Sequence, residues 1–336
     1  MTARSSGPLG GPLRDPRCEP FQNLSTQPFL GSAVLDTGLI TDYELRKSYR
    51  AIYRNVYLAN DIELTARLRA EAAWLFAGPD AVLTGLSAAA VHGVTCVDPN
   101  APAEIVRARR QAPRGLKVRA YPLGPQEIQI GDGMRLTTAA RTAFDIGRSL
   151  PLEQAVPILD ALIHRTLLDR DEVRALAATH RGIRGYRQFP LAFATADGGA
   201  RSPLESKVRL VVKSASSWPI QTQIPFYDEW GLVFTRAAMG WPRLQLAIEC
   251  DDRPVSDLAH RTWMLRHTRT LESLGWRVVW VTALMMDSPG GVFQTVQNEA
   301  LAAHRRLRQR QPKPENDAAP GAFKPRAQHQ RTISLR

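Results

Sequence analysis

The chain has 336 residues, 44 Lys and Arg against 32 Asp and Glu, a formal charge of +12 and 44% hydrophobic residues. That length allows two or three domains with self-sufficient cores, and three distant cysteines (Cys18, Cys96, Cys250) without a CxxC spacing argue against a disulfide framework or a zinc site. The absence of an apolar leader and of a membrane-length apolar run makes a cytoplasmic protein with no membrane partner the expectation.

Residues 1–27, rich in Gly, Pro and Ser, read as a disordered tail. Over 28–60 the pattern predicts a short helix from Ser32 to near Gly38. A second is N-capped by Thr41 with Glu44 completing a capping box, and a strand pair turns at Arg54-Asn55. Two short helices and a small β-hairpin outline a winged helix-turn-helix, although a helical hairpin that merely packs on its neighbour fits the same residues.

The region 61–200 reads as mostly helical. "IELTARLRAEAAWLFAG" predicts an amphipathic helix ended by Gly78-Pro79. "AVLTG" predicts a strand, and "LSAAAVHG" a helix capped by Ser87, with a partly charged His92 at its C-terminal end. "AEIVRARRQAPRGLKVRAY" predicts a β-hairpin around Pro-Arg-Gly. Its Arg107, Arg109, Arg110, Arg114, Lys117 and Arg119 form the densest basic cluster before the tail and are the candidates for phosphate contact. A solvated hairpin edge accounts for the same charges. Four helices are then expected across 137–196 as packing between the two ends of the chain, and "ADGGARS" reads as a boundary.

From Ser202 the order is helix, three strands, helix, strand, helix. This αβββαβα sequence of elements is that of the PD-(D/E)XK restriction-endonuclease core, and places a nuclease-like domain at 201–303. The whole is therefore an α+β chain with a winged-helix-like start, a helical and β middle and a nuclease-like end. In "LQLAIECDD", a strand period of two puts Glu249 and Asp251 on one face, their Cα atoms about 6.5 Å apart. Such a pair can hold a divalent ion, with Glu205 on the preceding helix as a third contributor. Glu205 also fits N3 of a capping box whose N-cap is Ser202 and whose N1 is Pro203. A simple hairpin register sets Ala238 opposite Gln245, not Glu249. On the next helix His260, Arg261, Arg266, His267 and Arg269 are either phosphate contacts or a solvated face. Residues 304–336 read as a basic disordered tail. From 305 onwards it holds nine Lys and Arg against two acids, and either attracts a polyanion or only keeps the protein soluble.

The phrases "ELRKSYRAIYRNVYLANDIELTARLRAEAAWLF", "VLTGLSAAAVHGV", "LTTAARTAFDIGRSLPLEQAV" and "GGARSPLESKVRLVV" resemble an actinobacterial, mycobacterial-type family of unknown function. Its N-terminal part is similar to the AbiEi abortive-infection antitoxins, and its C-terminal part to the very-short-patch-repair endonucleases. The resemblance covers about residues 28–303 and implies a DNA partner, a toxin-protein partner for the antitoxin-like part, and a Mg²⁺-dependent site if the nuclease is active. It implies an Asp where Ala238 stands, a Gly where Asp252 stands, a His near Pro254-Val255 and an Asp on the next helix, near Met264 or His267. Only Glu249 and Asp251 match. The expectation is a nucleic-acid-binding, regulator- or antitoxin-like protein with a degenerate nuclease-like domain, not an enzyme and without a cofactor. The alternatives are an active Mg²⁺-dependent DNA endonuclease using Glu205, Glu249 and Asp251, and a toxin-binding module that never touches DNA.

Overall fold

The computed structural model describes residues 24–108, 111–253 and 258–310. Arg109, Arg110, the Pro254-Val255 position, most of the N-terminal tail and residues 311–336 lie outside them. The described residues form a mixed α and β protein with three sheets and eleven α-helices.

The first unit holds β1 (Phe29–Leu30), α1 (Gly31–Asp36), α2 (Asp42–Ser48), β2 (Tyr49–Tyr53) and β3 (Val56–Ala59). The expected elements are present, with α1 one residue earlier than its pattern suggested. Thr41 and Glu44 form the anticipated reciprocal cap of α2. Asn55, at φ 64, makes the turn between β2 and β3, and β1 adds to the other edge of β3. Phe29, Val34 and Leu45 give the unit a small core of its own. Tyr53 and Val56 belong instead to the core of the middle unit, and the Tyr53 hydroxyl donates to the Gly115 carbonyl at 2.9 Å.

The middle unit contains α3 (Ala66–Ala77), β4 (Val82–Leu83), α4 (Gly85–Val91), β5 (Ala103–Val106), β6 (Leu116–Arg119), β7 (Ile128–Gly131) and β8 (Met134–Thr137). These are followed by α5 (Ala139–Ser149), α6 (Leu152–Thr166), α7 (Arg170–Thr179) and α8 (Phe189–Thr195). The four helices expected over 137–196 are all present. The sheet, in the order β6-β5-β4-β8-β7, is larger than the sequence suggested. Hairpin β7–β8 turns at Asp132-Gly133, both with positive φ, the backbone that Asp-Gly favours between two strands.

Two local expectations are corrected. Strands β5 and β6 pair in parallel, Ala103 with Leu116 and Val106 with Arg119, so the basic segment is a crossover loop and not a hairpin. Pro113-Arg114-Gly115 does turn the chain, with Leu116 N–H donating to the Pro113 carbonyl, but into a strand parallel to β5. Helix α4 is entered through Thr84, not Ser87. The Ser87 hydroxyl accepts from the Glu104 backbone N–H at 2.8 Å, while the Glu104 carboxylate accepts from Leu86 N–H. Gly85 is required there: at φ +52, an added Cβ would fall 1.8 Å from a Glu104 oxygen.

The last unit runs α9 (Pro203–Val212), β9 (Gln221–Tyr227), β10 (Val233–Trp241), β11 (Leu246–Asp251), α10 (Leu258–Ser273), β12 (Arg277–Thr282) and α11 (Pro289–Arg310). This is the anticipated order. The sheet order is β12-β11-β10-β9, with β11 and β12 parallel and the others antiparallel. Its two faces are unequal. Leu246 and Ile248 join Leu204, Val208 and Val212 of α9 and Val292, Val296 and Ala300 of α11 in a broad apolar layer. The opposite layer is smaller, with Ile224, Phe226, Ala237, Ala247 and Leu271 buried and Trp276 and Val278 packed against them. Glu249 and Asp251 share the parity of Ala247, and so point to this thinner layer beneath α10. Between the middle and last units, buried Asp160 of α6 accepts from Arg209 (2.7 Å) and Ser206 (2.6 Å) of α9, an ion pair across the seam.

Candidate functional site

The hairpin register decides the surroundings of Glu249. Met239 pairs with Ile248, Gly240 with Ala247 and Trp241 with Leu246. Continuing the register sets Ala238 beside Glu249, and the Ala238 N–H donates to Glu249 Oε1 at 3.3 Å. The expected pairing with Gln245 is wrong because Pro242–Leu244 forms a 3-10 turn and Gln245 adopts φ 49, so the connection takes four residues. An alanine thus stands at the strand position beside Glu249 and reaches it through its backbone N–H.

Both strand carboxylates are met by imidazoles of α10. His267 Nε2 lies 3.1 Å from Glu249 Oε1, and Thr235 Oγ1 is 3.3 Å from its Nδ1. His260 Nε2 lies 2.7 Å from Asp251 Oδ1, which also accepts from the Arg253 N–H, while an Arg253 guanidinium nitrogen is 3.3 Å from His260 Nδ1. Each ring can therefore give its Nε2 proton to a carboxylate while its other nitrogen accepts. The spacing follows from the helix. His260, Trp263 and His267 fall at i, i+3 and i+7 on one face, and the Trp263 ring stacks between the two imidazoles with centroids 5.5 and 5.0 Å away. Trp280 of β12 meets Trp263 edge-on and donates its indole N–H to Thr268 at 2.8 Å. Glu249 and His267 are buried, whereas Trp263 is half exposed.

Glu205 belongs to the same acidic neighbourhood. Ser202 caps α9 by accepting from Glu205 N–H at 3.1 Å, as expected, but the Glu205 carboxylate reaches one residue further back, to Arg201 N–H at 2.8 Å. Burial pushes its carboxyl up to about 7. The Arg201 bond opposes that rise, and the charges of Glu249 and Asp252 add to it. Burial and the same acids push the Cys250 thiol up as well. Ala238 adds no side-chain oxygen, and one oxygen of each strand carboxylate is hydrogen-bonded to an imidazole. Among the described residues, no group of three His, Cys, Asp or Glu side chains is arranged to hold a metal.

The described members of the basic cluster are dispersed. Arg119 pairs with Glu104 at 2.7 Å and Lys117 approaches the same carboxylate at 3.6 Å. Arg107 lies over the Phe76 ring, 5.3 Å from its centroid, and donates to the Gln111 carbonyl, and Arg114 is exposed. Of the five candidates on α10, Arg261, Arg266 and Arg269 face solvent and the two histidines face the sheet. His92 does end α4, but its Nε2 lies 2.9 Å from the Thr137 carbonyl and burial lowers its pKa, against the charged cap expected.

The sequence reading missed one buried polar cluster. Arg141, fully buried on α5, donates to Asp145 (3.0 Å) and to Glu127 (2.8 Å), and His180 approaches the same Glu127 oxygen at 3.1 Å. Arg148 pairs with Asp145 at 2.7 Å, and the Tyr121 hydroxyl donates to Asp145 at 2.9 Å while its ring lies beneath the Arg141 guanidinium. The i, i+4, i+7 spacing of Arg141, Asp145 and Arg148 was the available signal.

Two Mycobacterium tuberculosis proteins described as uncharacterised, Rv2248 of strain H37Rv and MT2308 of strain CDC 1551, are each 29% identical to this chain over 234 residues. The match spans 68% of this chain and 83% of theirs. No family model matches, and no solved structure does. No helix among the described residues is long and apolar enough to cross a membrane.

Proposed function

We propose that this chain is a nucleic-acid-binding protein, regulator- or antitoxin-like at its N-terminal end, whose PD-(D/E)XK-like last unit does not hydrolyse phosphodiesters. One arrangement carries this reading: Glu249 lies beside Ala238 and under His267, while Asp251 lies under His260. Metal-assisted hydrolysis needs converging carboxylate oxygens that are free to bind an ion and activate water. Here the strand pair makes internal hydrogen bonds instead. The αβββαβα order and the register that brings Ala238 to Glu249 support descent from a nuclease of the very-short-patch-repair type. The winged-helix reading rests on α2 and the β2–β3 hairpin, where Tyr43 is 71% exposed and Arg46 and Lys47 lie on the same short helix. The formal charge of +12 supports a polyanionic partner.

Incubating the purified chain with plasmid and Mg²⁺ or Mn²⁺ tests the first half, and no nicking above that of a Glu249→Ala variant is expected. Ion-dependent nicking that disappears in Glu249→Ala would establish the endonuclease instead. Titration with duplex DNA at two salt concentrations tests the second half. Salt-sensitive binding is expected, with Arg107→Gln/Arg114→Gln lowering the log–log salt slope by about two. Salt-insensitive or undetectable binding would leave a protein partner, such as a toxin, as the ligand.

A further inference from the structure

At the end of the last sheet remote from Asp251, strands β11 and β12 begin side by side, Leu246 paired with Arg277. The turns leading into them are tied together. Arg277 N–H donates to the Gln245 carbonyl at 2.8 Å, Trp276 N–H to Leu271, and Gly275, at φ +83, closes α10 through Glu272. With the C-terminal part of α11 these turns enclose a cleft of about 290 Å³, whose charged lining is Arg243, Arg277, Arg306 and Glu272.

The three arginines are held differently. Arg243 lies over the Trp218 ring, 5.2 Å from its centroid, and Trp218 packs on His304 of α11 while its carbonyl accepts from the Trp241 indole at 2.8 Å. That chain of contacts sets the position of the guanidinium. Arg277 is tethered to Glu299 at 3.3 Å, and Arg306 is exposed and forms no ion pair with the described residues. With Glu299 counted beside Glu272, three guanidinium groups against two carboxylates leave one positive charge in excess. An excess of that sign suits a phosphate group, whose oxygens planar N–H forks contact two at a time.

We propose that this cleft binds phosphate through Arg243, Arg277 and Arg306, at a site separate from the Glu249–Asp251 pair. The phosphate belongs either to a nucleic-acid backbone, in which case the proposal rests on the nucleic-acid reading above, or to a small free phosphate compound. The test compares the full chain with Arg243→Gln/Arg306→Gln and with Arg306→Gln alone, a change confined to an exposed helix surface. Each is titrated with duplex DNA at about 50 and about 200 mM salt, and melted with and without inorganic pyrophosphate. For a backbone phosphate, the double variant loses about tenfold or more in low-salt affinity and close to two in salt slope, and Arg306→Gln about half of each. For a free phosphate, pyrophosphate raises the melting temperature of the parent by a few degrees and leaves the double variant unmoved, with equal DNA affinity. If the variants fold normally by circular dichroism and match the parent in both assays, the proposal is overturned. A parent that binds no DNA defeats the nucleic-acid reading alone, and the pyrophosphate arm then decides the cleft.

Discussion

Glu127 and Asp145 in the middle unit and Glu249 and Asp251 in the last unit are carboxylates drawn largely out of water, but they are answered differently. In the first pair a buried guanidinium bridges both acids and a second one meets Asp145. In the second pair each acid has one imidazole, and the Trp263 ring stacks between the two imidazoles. Arginine carries a fixed charge and several donors in one plane, so a single Arg141 serves two acids. A histidine supplies one directed bond per ring nitrogen. The middle cluster is thus built as a rigid junction between the β6–β7 connection, α5 and α7. The C-terminal pair has the simpler arrangement of one imidazole per acid.

The sharpest way to break this contrast is Arg141→Met. The side chain is fully buried, and removing it leaves Glu127 and Asp145 without their common cation. A destabilisation of roughly 3–5 kcal/mol is expected in urea unfolding. A loss below about 1 kcal/mol would show that Arg148 and His180 suffice and that the bridge is dispensable.

Glu205→Gln acts next. The folded carboxyl titrates near 7, above the 4.5 of its ordinary value, so the folded state holds this proton more tightly than the unfolded chain does. The stabilisation is fully present below about 4.5 and is lost as pH rises through about 7. Since each unit of elevation corresponds to about 1.4 kcal/mol, the fall is on the order of 2 kcal/mol once solvent screening of this partly exposed group is allowed for. The Gln amide keeps an oxygen for Arg201 N–H and carries no charge. The variant should therefore be more stable than the parent at pH 8 and nearly level with it at pH 4.5. Parallel stability profiles for the two proteins would contradict the assignment.

His267→Leu is expected to cost less, about 1–3 kcal/mol, the penalty of leaving Glu249 buried with only the Ala238 N–H. It also sharpens the comparison. If the pair is a former ion site held shut by imidazoles, His260→Ala/His267→Ala frees both carboxylates. Adding Ala238→Asp should then give Mn²⁺ binding by calorimetry that the parent lacks. No heat of binding in the triple variant would mean that the backbone no longer converges on an ion.

Much of this was legible in advance, and what was missed has identifiable causes. The Thr41–Glu44 cap, the four helices after Thr137 and the order of the last unit follow from local signals, namely caps, apolar period and glycine stops. The parallel pairing of β5 and β6 is non-local, since Pro-Arg-Gly reads as a hairpin whichever way the chain then runs. Asp132-Gly133 was a readable hairpin that went unread. In the last unit parity placed Glu249 and Asp251 on one face correctly, but the register of Ala238 depended on the φ of Gln245. That His260 and His267 close on the pair depends on how α10 lies across the sheet, which residue spacing does not specify.

The smallest effect tests whether the imidazole pair behaves as a unit. Trp263 is half exposed, so Trp263→Leu forfeits little buried area and chiefly the two stacking contacts, about 0.5–1.5 kcal/mol in all. In a double-mutant cycle with His267→Leu, residues that act independently add to within about 0.3–0.5 kcal/mol. The stack predicts a larger coupling, because once His267 is gone the indole has lost one of the three rings packed on it. Simple additivity would mean that His260 and His267 hold their carboxylates separately, and the column of rings would then be a consequence of helix spacing rather than a device.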